Sequence, residues 1–116
     1  MGRKKKTTAT TFEVRLSQNA LQNIDEITGY IAFINHQPSN AIKIGDSILE
    51  TIDRISANPF AFRECEELAT KTKIYRRAVC HSWSIIYKIT GNIILILGII
   101  HHSRRPSAFK KLRKVK

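Results

Sequence analysis

Residues 92–100 read NIILILGII, and this stretch has few places to go in a folded protein. Seven of the eight residues from Ile93 to Ile100 are aliphatic, and a Gly91-Asn92 turn precedes them. A β-strand sends successive side chains to opposite faces. A strand apolar at almost every position is therefore buried on both faces and belongs in the middle of a sheet. Eight residues are too few to cross a bilayer, so no membrane span is expected.

The rest of the chain supplies that sheet and a cover for it. Phe12 to Leu16 alternates apolar and charged residues, the pattern of a short half-buried strand. Ser17 then offers a helix N-cap. Leu21, Ile24, Ile27, Tyr30, Ile31 and Ile34 recur at three- and four-residue spacing, which predicts an amphipathic helix over 17–35 with Asn19, Gln22, Asn23 and Glu26 on its polar face. His36-Gln37-Pro38 interrupts it, and Ser39 or Asn40 is expected to cap a second helix. The second stripe is Ala41, Ile44, Ile48, Ile52 and Ile55, with Leu49 alongside, ending near Asn58-Pro59. So short a break predicts an antiparallel helical hairpin. Residues 59–72 show no sustained period and read as a connecting loop. Three strand-like runs follow: 73–79, 82–89 after a tight Cys80-His81 link, and 92–100 after Thr90-Gly91-Asn92. The order is β-α-α-β-β-β, an α+β fold with a helical hairpin on one face of a small, mostly antiparallel sheet. The other face is left for something else to fill.

At 116 residues and 42% apolar content, the chain suffices for one core and one domain. That domain is expected over 12–110, with a disordered basic tail at 1–11 and a second basic tail at 111–116. The net charge of +11 is concentrated in the two ends, because residues 12–100 hold nine basic and nine acidic residues. Such ends suit an anionic partner, nucleic acid or an acidic protein. No apolar stretch follows Arg3-Lys4-Lys5-Lys6, so no secretory signal is expected. The expected location is cytoplasmic, with Cys65 and Cys80 reduced. Cys80-His81 and His101-His102 could hold zinc only if neighbouring strands joined them, and nothing in their spacing requires it. No metal or cofactor is expected.

No phosphate loop, nucleophile elbow or paired carboxylate stands out. The candidate contact residues form one group instead. Arg76 and Arg77 point to opposite faces of one strand, Tyr75, Trp83 and Tyr87 share its hairpin, and His101, His102, Arg104 and Arg105 follow the neighbouring strand. Such a face could hold RNA or an acidic amphipathic peptide. Imidazole beside arginines could also cleave a phosphodiester.

Three segments carry a family likeness: FEVRLSQNALQNIDEITGYI, INHQPSNAIKIGDSILETIDRISANPFAF and YRRAVCHSWSIIYKITGNIILILGIIHHSRRP. Over residues 12–110 the chain resembles the RelE/ParE toxins of bacterial type II toxin–antitoxin (plasmid stabilisation) systems. The resemblance implies a small toxin neutralised by a cognate antitoxin, and a homodimer or a hetero-oligomer with that antitoxin is expected. RelE-like members are ribosome-dependent mRNA endoribonucleases, whereas ParE-like members bind DNA gyrase. Where RelE-like nucleases carry two arginines and a tyrosine, this chain has Ser84, Ser103 and Phe109. The resemblance therefore leans to the ParE side, with growth inhibition by binding. Arg76, Arg77, Tyr87, His101, His102, Arg104, Arg105 and Phe109 are then the expected contacts with target or antitoxin. In the ribonuclease alternative the catalytic set would be His101, His102, Arg76, Arg77, Arg104 and Arg105.

Overall fold

The computed structural model describes residues 11–116, so the basic part of the expected N-terminal tail lies outside the described residues. Strand β1 (Glu13–Leu16) leads into helix α1 (Gln18–Gly29), which continues through a π-helical turn at Tyr30–Ile34. Helix α2 (Pro38–Ala57) follows, and two short 3-10 turns occupy Pro59–Ala61 and Glu66–Leu68. Strands β2 (Tyr75–Cys80), β3 (Trp83–Thr90) and β4 (Ile93–His101) complete a sheet of order β1-β4-β3-β2. The chain ends in helix α3 (Pro106–Lys110) and a 3-10 turn at Lys111–Lys114. Strand β4 pairs antiparallel with β3 and parallel with β1, so the aliphatic strand is central and the sheet mostly antiparallel, as the sequence predicts.

Local chemistry explains the helix boundaries. The Ser17 hydroxyl accepts a hydrogen bond from the Ala20 N–H at 3.0 Å and donates to the Leu97 carbonyl at 2.9 Å, joining the start of α1 to the central strand. Pro38 opens α2 at its first position, where the missing N–H costs nothing. The cap residue is therefore Gln37 rather than Ser39 or Asn40.

The α2 stripe faces the sheet as expected, with Ala41, Ile44, Ile48, Ile52 and Ile55 all buried. The α1 stripe is shifted. Ala20 and Ile31 are buried and Ile24 and Ile27 partly so, whereas Leu21, Tyr30 and Ile34 are exposed. The π turn inserts a residue into the helical repeat and rotates the last turn out of phase.

A second core lies on the opposite sheet face. Tyr75, Ile86, Leu97 and Ile100 meet Cys65 and Leu68 from the connecting loop and Phe109 and Leu112 from the C-terminal segment. This corrects two expectations. The face away from the helices is covered by the chain itself, and residues 111–116 do not form a separate tail, because Leu112 is buried and Val115 packs against it. The spacing of Ala108, Phe109 and Leu112 is compatible with one docked helical turn, but so short an apolar set is no sustained period and does not say which face it covers.

Candidate functional site

Strand β1 reaches only as far as Ile96 along β4, so the edge of β4 beyond it lacks a strand partner. Helix α1 takes over that role with two asparagines one turn apart. The Asn19 side-chain amide donates to the Leu97 carbonyl at 3.0 Å, and the Asn23 side-chain carbonyl accepts from the Ile99 N–H at 2.9 Å. A bulge accompanies this handover, since Ile86 pairs with Gly98 but Tyr87 pairs with Ile96, leaving Leu97 as the extra residue. A Cβ on Gly98 would lie 2.8 Å from Asn19 Nδ2 and 2.9 Å from Leu112 Cδ2, so both covering layers close on one glycine.

Past this point the layers diverge and leave a groove of about 820 Å³. Ile27, Tyr30 and Ile31 form one wall, Ala108, Lys111 and Leu112 the other, and Trp83, Ile99, Ile100 and His101 lie between them. Glu26, Arg104 and Lys111 add charges of both signs to this apolar trough. Among the described residues, ion pairs join Arg15 to Glu13 and Arg77 to Glu67, and none engages these three groups. The trough thus offers apolar area together with charges that no ion pair neutralises, a combination suited to an amphipathic peptide.

His101 stands at the groove mouth as the last residue of β4, opposite Trp83 on β3. The two rings meet edge to face at 5.5 Å. The Ser103 N–H donates to His101 Nδ1 at 3.1 Å, and the Ser103 hydroxyl lies 2.8 Å from the same nitrogen. In the neutral ring this places the proton on Nε2. His102 is exposed in the turn that follows, where its backbone N–H donates to the Ser82 carbonyl at 2.9 Å. Arg105 precedes α3 with an exposed side chain and does not line the groove.

The remaining expected contacts lie elsewhere. The Arg76 guanidinium donates to the carbonyls of Lys73 and Phe62 at 2.9 and 2.8 Å and sits 5.5 Å from the Phe60 ring centre. Arg77 faces away from the helices, donates to Ser84 Oγ at 2.9 Å, approaches Glu67 at 3.8 Å and covers the Phe109 ring. Tyr87 is buried against the helical hairpin, where its hydroxyl donates to the Pro59 carbonyl at 2.6 Å. Burial holds that phenol well above the usual tyrosine range. Phe109 anchors the second core. Neither Tyr87 nor Phe109 offers the surface contact expected of it, because each ring fills a core where one sheet face meets its cover. Tyr75 is also buried, so the expected aromatic stacking platform on the sheet does not form.

Of the six residues in the ribonuclease alternative, only His101 and Arg104 line the same groove. The three positions that depart from the nuclease pattern also have structural roles. Ser84 is buried under Arg77, Ser103 holds His101, and Phe109 packs in the core. No group of three or more histidines, cysteines or acidic residues comes together among the described residues, so the cysteine–histidine zinc arrangement does not assemble. Sequence reasoning missed Asn19, Asn23, Glu26 and Tyr30 as groove residues. The one available signal was the four-residue spacing of the two asparagines, which reads equally well as a solvated helix face.

Comparison with known proteins accords with this geometry. The family described as "ParE toxin of type II toxin-antitoxin system, parDE" matches residues 14–106. Among solved structures, a chain of the chromosomal ParDE toxin–antitoxin system from P. aeruginosa superposes with a TM-score of 0.63 at 18% identity, covering 80% of this chain and 98% of that one. A chain of the RelBE2 toxin–antitoxin complex from Mycobacterium tuberculosis aligns at a TM-score of 0.48 and 14% identity, covering 78% and 98%. No curated protein matches the sequence. The family match spans β1 through the start of α3, and with it the whole sheet, the helical hairpin and most of the groove; the chain belongs to the ParE toxin family of type II toxin–antitoxin systems.

Proposed function

We propose that this toxin arrests growth by binding DNA gyrase, and that a cognate antitoxin neutralises it by laying an amphipathic peptide into the groove between α1 and the C-terminal segment. The family match over residues 14–106 carries this reading. Two features of the site support it. The groove pairs apolar floor residues with Glu26, Arg104 and Lys111, none of them in an ion pair among the described residues, which an amphipathic segment can engage. The arginines that a phosphodiester-cleaving centre would need are scattered, with Arg76 on the helical side of the sheet and Arg77 on the other.

The test is a gyrase supercoiling assay with the purified chain, run beside mapping of mRNA ends from ribosomes exposed to it. Inhibited supercoiling with intact mRNA is expected, and the product of a neighbouring antitoxin reading frame should relieve the inhibition. Cleaved mRNA with unaffected gyrase overturns the reading in favour of the ribonuclease. In that event His101→Ala/His102→Ala should abolish cleavage, whereas in a gyrase inhibitor the same change weakens a contact and leaves residual toxicity.

A further inference from the structure

The two layers covering the sheet carry opposite charge. Residues 18–57, the helical hairpin, hold five acidic and two basic side chains. Residues 60–116, which comprise strands β2–β4 as well as the second layer, hold thirteen basic and three acidic ones. Folding concentrates much of this excess on the outside of the second layer. Phe109 and Leu112 turn inward, and Lys110, Lys111, Arg113, Lys114 and Lys116 are left exposed around them. Lys88 of β3 and Arg113 approach the buried Tyr75 ring, at 5.8 and 5.9 Å from its centre, so cations from the sheet and the C-terminal segment flank one residue. No ion pair among the described residues neutralises any of these groups.

The chemistry of the patch narrows the kind of anion that fits. An acidic amphipathic peptide needs an apolar strip beside the charge. The large exposed apolar side chains are Leu21, Tyr30, Phe33, Ile34, Ile42, Leu49, Phe60 and Val79, and none belongs to the C-terminal layer. A single-stranded nucleic acid is held largely by stacking its bases on exposed aromatic rings. Here Tyr75 and Phe109 are both buried. What the surface presents, among the described residues, is cations with no large exposed apolar or aromatic side chain beside them, which matches the dense, regularly spaced phosphates of a duplex. We propose that the outer surface of the C-terminal layer binds double-stranded DNA through its phosphates, without reading sequence. This surface borders the peptide groove and shares Lys111 with it, and its binding does not depend on the gyrase reading.

The experiment is fluorescence anisotropy with the full chain and no gyrase, using a labelled duplex of about 20 base pairs and a single strand of equal length, across roughly 50–200 mM salt. Tighter binding to the duplex is expected, with affinity falling steeply as salt rises. Lys110→Gln/Arg113→Gln/Lys114→Gln should reduce the log–log salt slope by about one per cation removed. Its thermal melt shows whether the fold is retained, and Lys110→Gln/Lys114→Gln, which spares Arg113 beside Tyr75, serves if it is not. Arg3→Gln/Lys4→Gln/Lys5→Gln/Lys6→Gln should retain most of the affinity. The proposal is overturned if the N-terminal variant abolishes binding while the C-terminal one does not. It also falls if the single strand, or a polyglutamate peptide of matched charge, binds as tightly as the duplex, or if no duplex binding is seen at the lowest salt.

Discussion

The sheet is covered on one side by a helical hairpin and on the other by pieces. The hairpin contributes residues at regular spacing: Ile44, Ile48, Ile52 and Ile55 all lie on one face of α2. The opposite layer contributes Cys65 and Leu68 from a 3-10 turn and Phe109 and Leu112 from the end of the chain, with no repeat connecting them. Both layers exclude water from a sheet face equally well at their centres, since Ile48 and Leu68 are each fully buried. Regularity is thus unnecessary for burial. It matters for the outer surface, because a helix keeps a continuous second face, whereas the other layer leaves acidic Glu66 outside its first turn and basic side chains outside its C-terminal segment.

If the irregular layer is a true core, truncating its anchor should destabilise the protein nearly as much as a cavity under the hairpin. Ile48→Ala should cost about 4 kcal/mol, and Phe109→Ala about 3 kcal/mol, both read from urea unfolding. An effect of Phe109→Ala below about 1 kcal/mol would mean that the C-terminal segment is a detachable cover. Gly98→Ala probes the point where the layers meet. Its new methyl group would press on Asn19, Asn23 and Leu112, and a loss of about 2 kcal/mol is expected. A neutral result would show that these side chains swing aside freely.

The smallest effect concerns Cys65. Burial, reinforced by neighbouring Glu67, pushes its thiol up to about 11 from an ordinary value near 9.0. The folded state therefore holds this proton more tightly than the unfolded chain. Cys65 adds no pH dependence below about 9, and stability should fall as pH rises from there towards 11. Comparing unfolding of the parent and Cys65→Ala across that window isolates the contribution. Identical slopes in the two proteins would show that Cys65 is not shielded in this way.

The legible parts of the fold were those with a period. The both-faces-apolar run 93–100 specified a central strand, the α2 stripe specified its buried face, and Ser17 marked a helix start, all as found. The end of the α1 stripe was not legible, because the π turn changes the repeat after Gly29 without an obvious sequence marker, and Leu21 is exposed before that turn. The site was less legible still. Asn19 and Asn23 looked like a solvated face because their partners, Leu97 and Ile99, lie more than seventy residues away. Tyr87 and Phe109 looked like surface contacts because aromatic residues serve cores and binding faces alike.

By itself, the sequence determined the elements, their order, the central place of β4 and the imbalance of charge, since local periodicity and composition need no partner to be read. The tertiary structure decided which residues share a groove, which arginines are committed to carbonyls or Glu67, and which tail residues become core. Those outcomes depend on contacts between distant segments and on the early end of β1, which leaves β4 short of a strand partner. Spacing along the chain does not encode them.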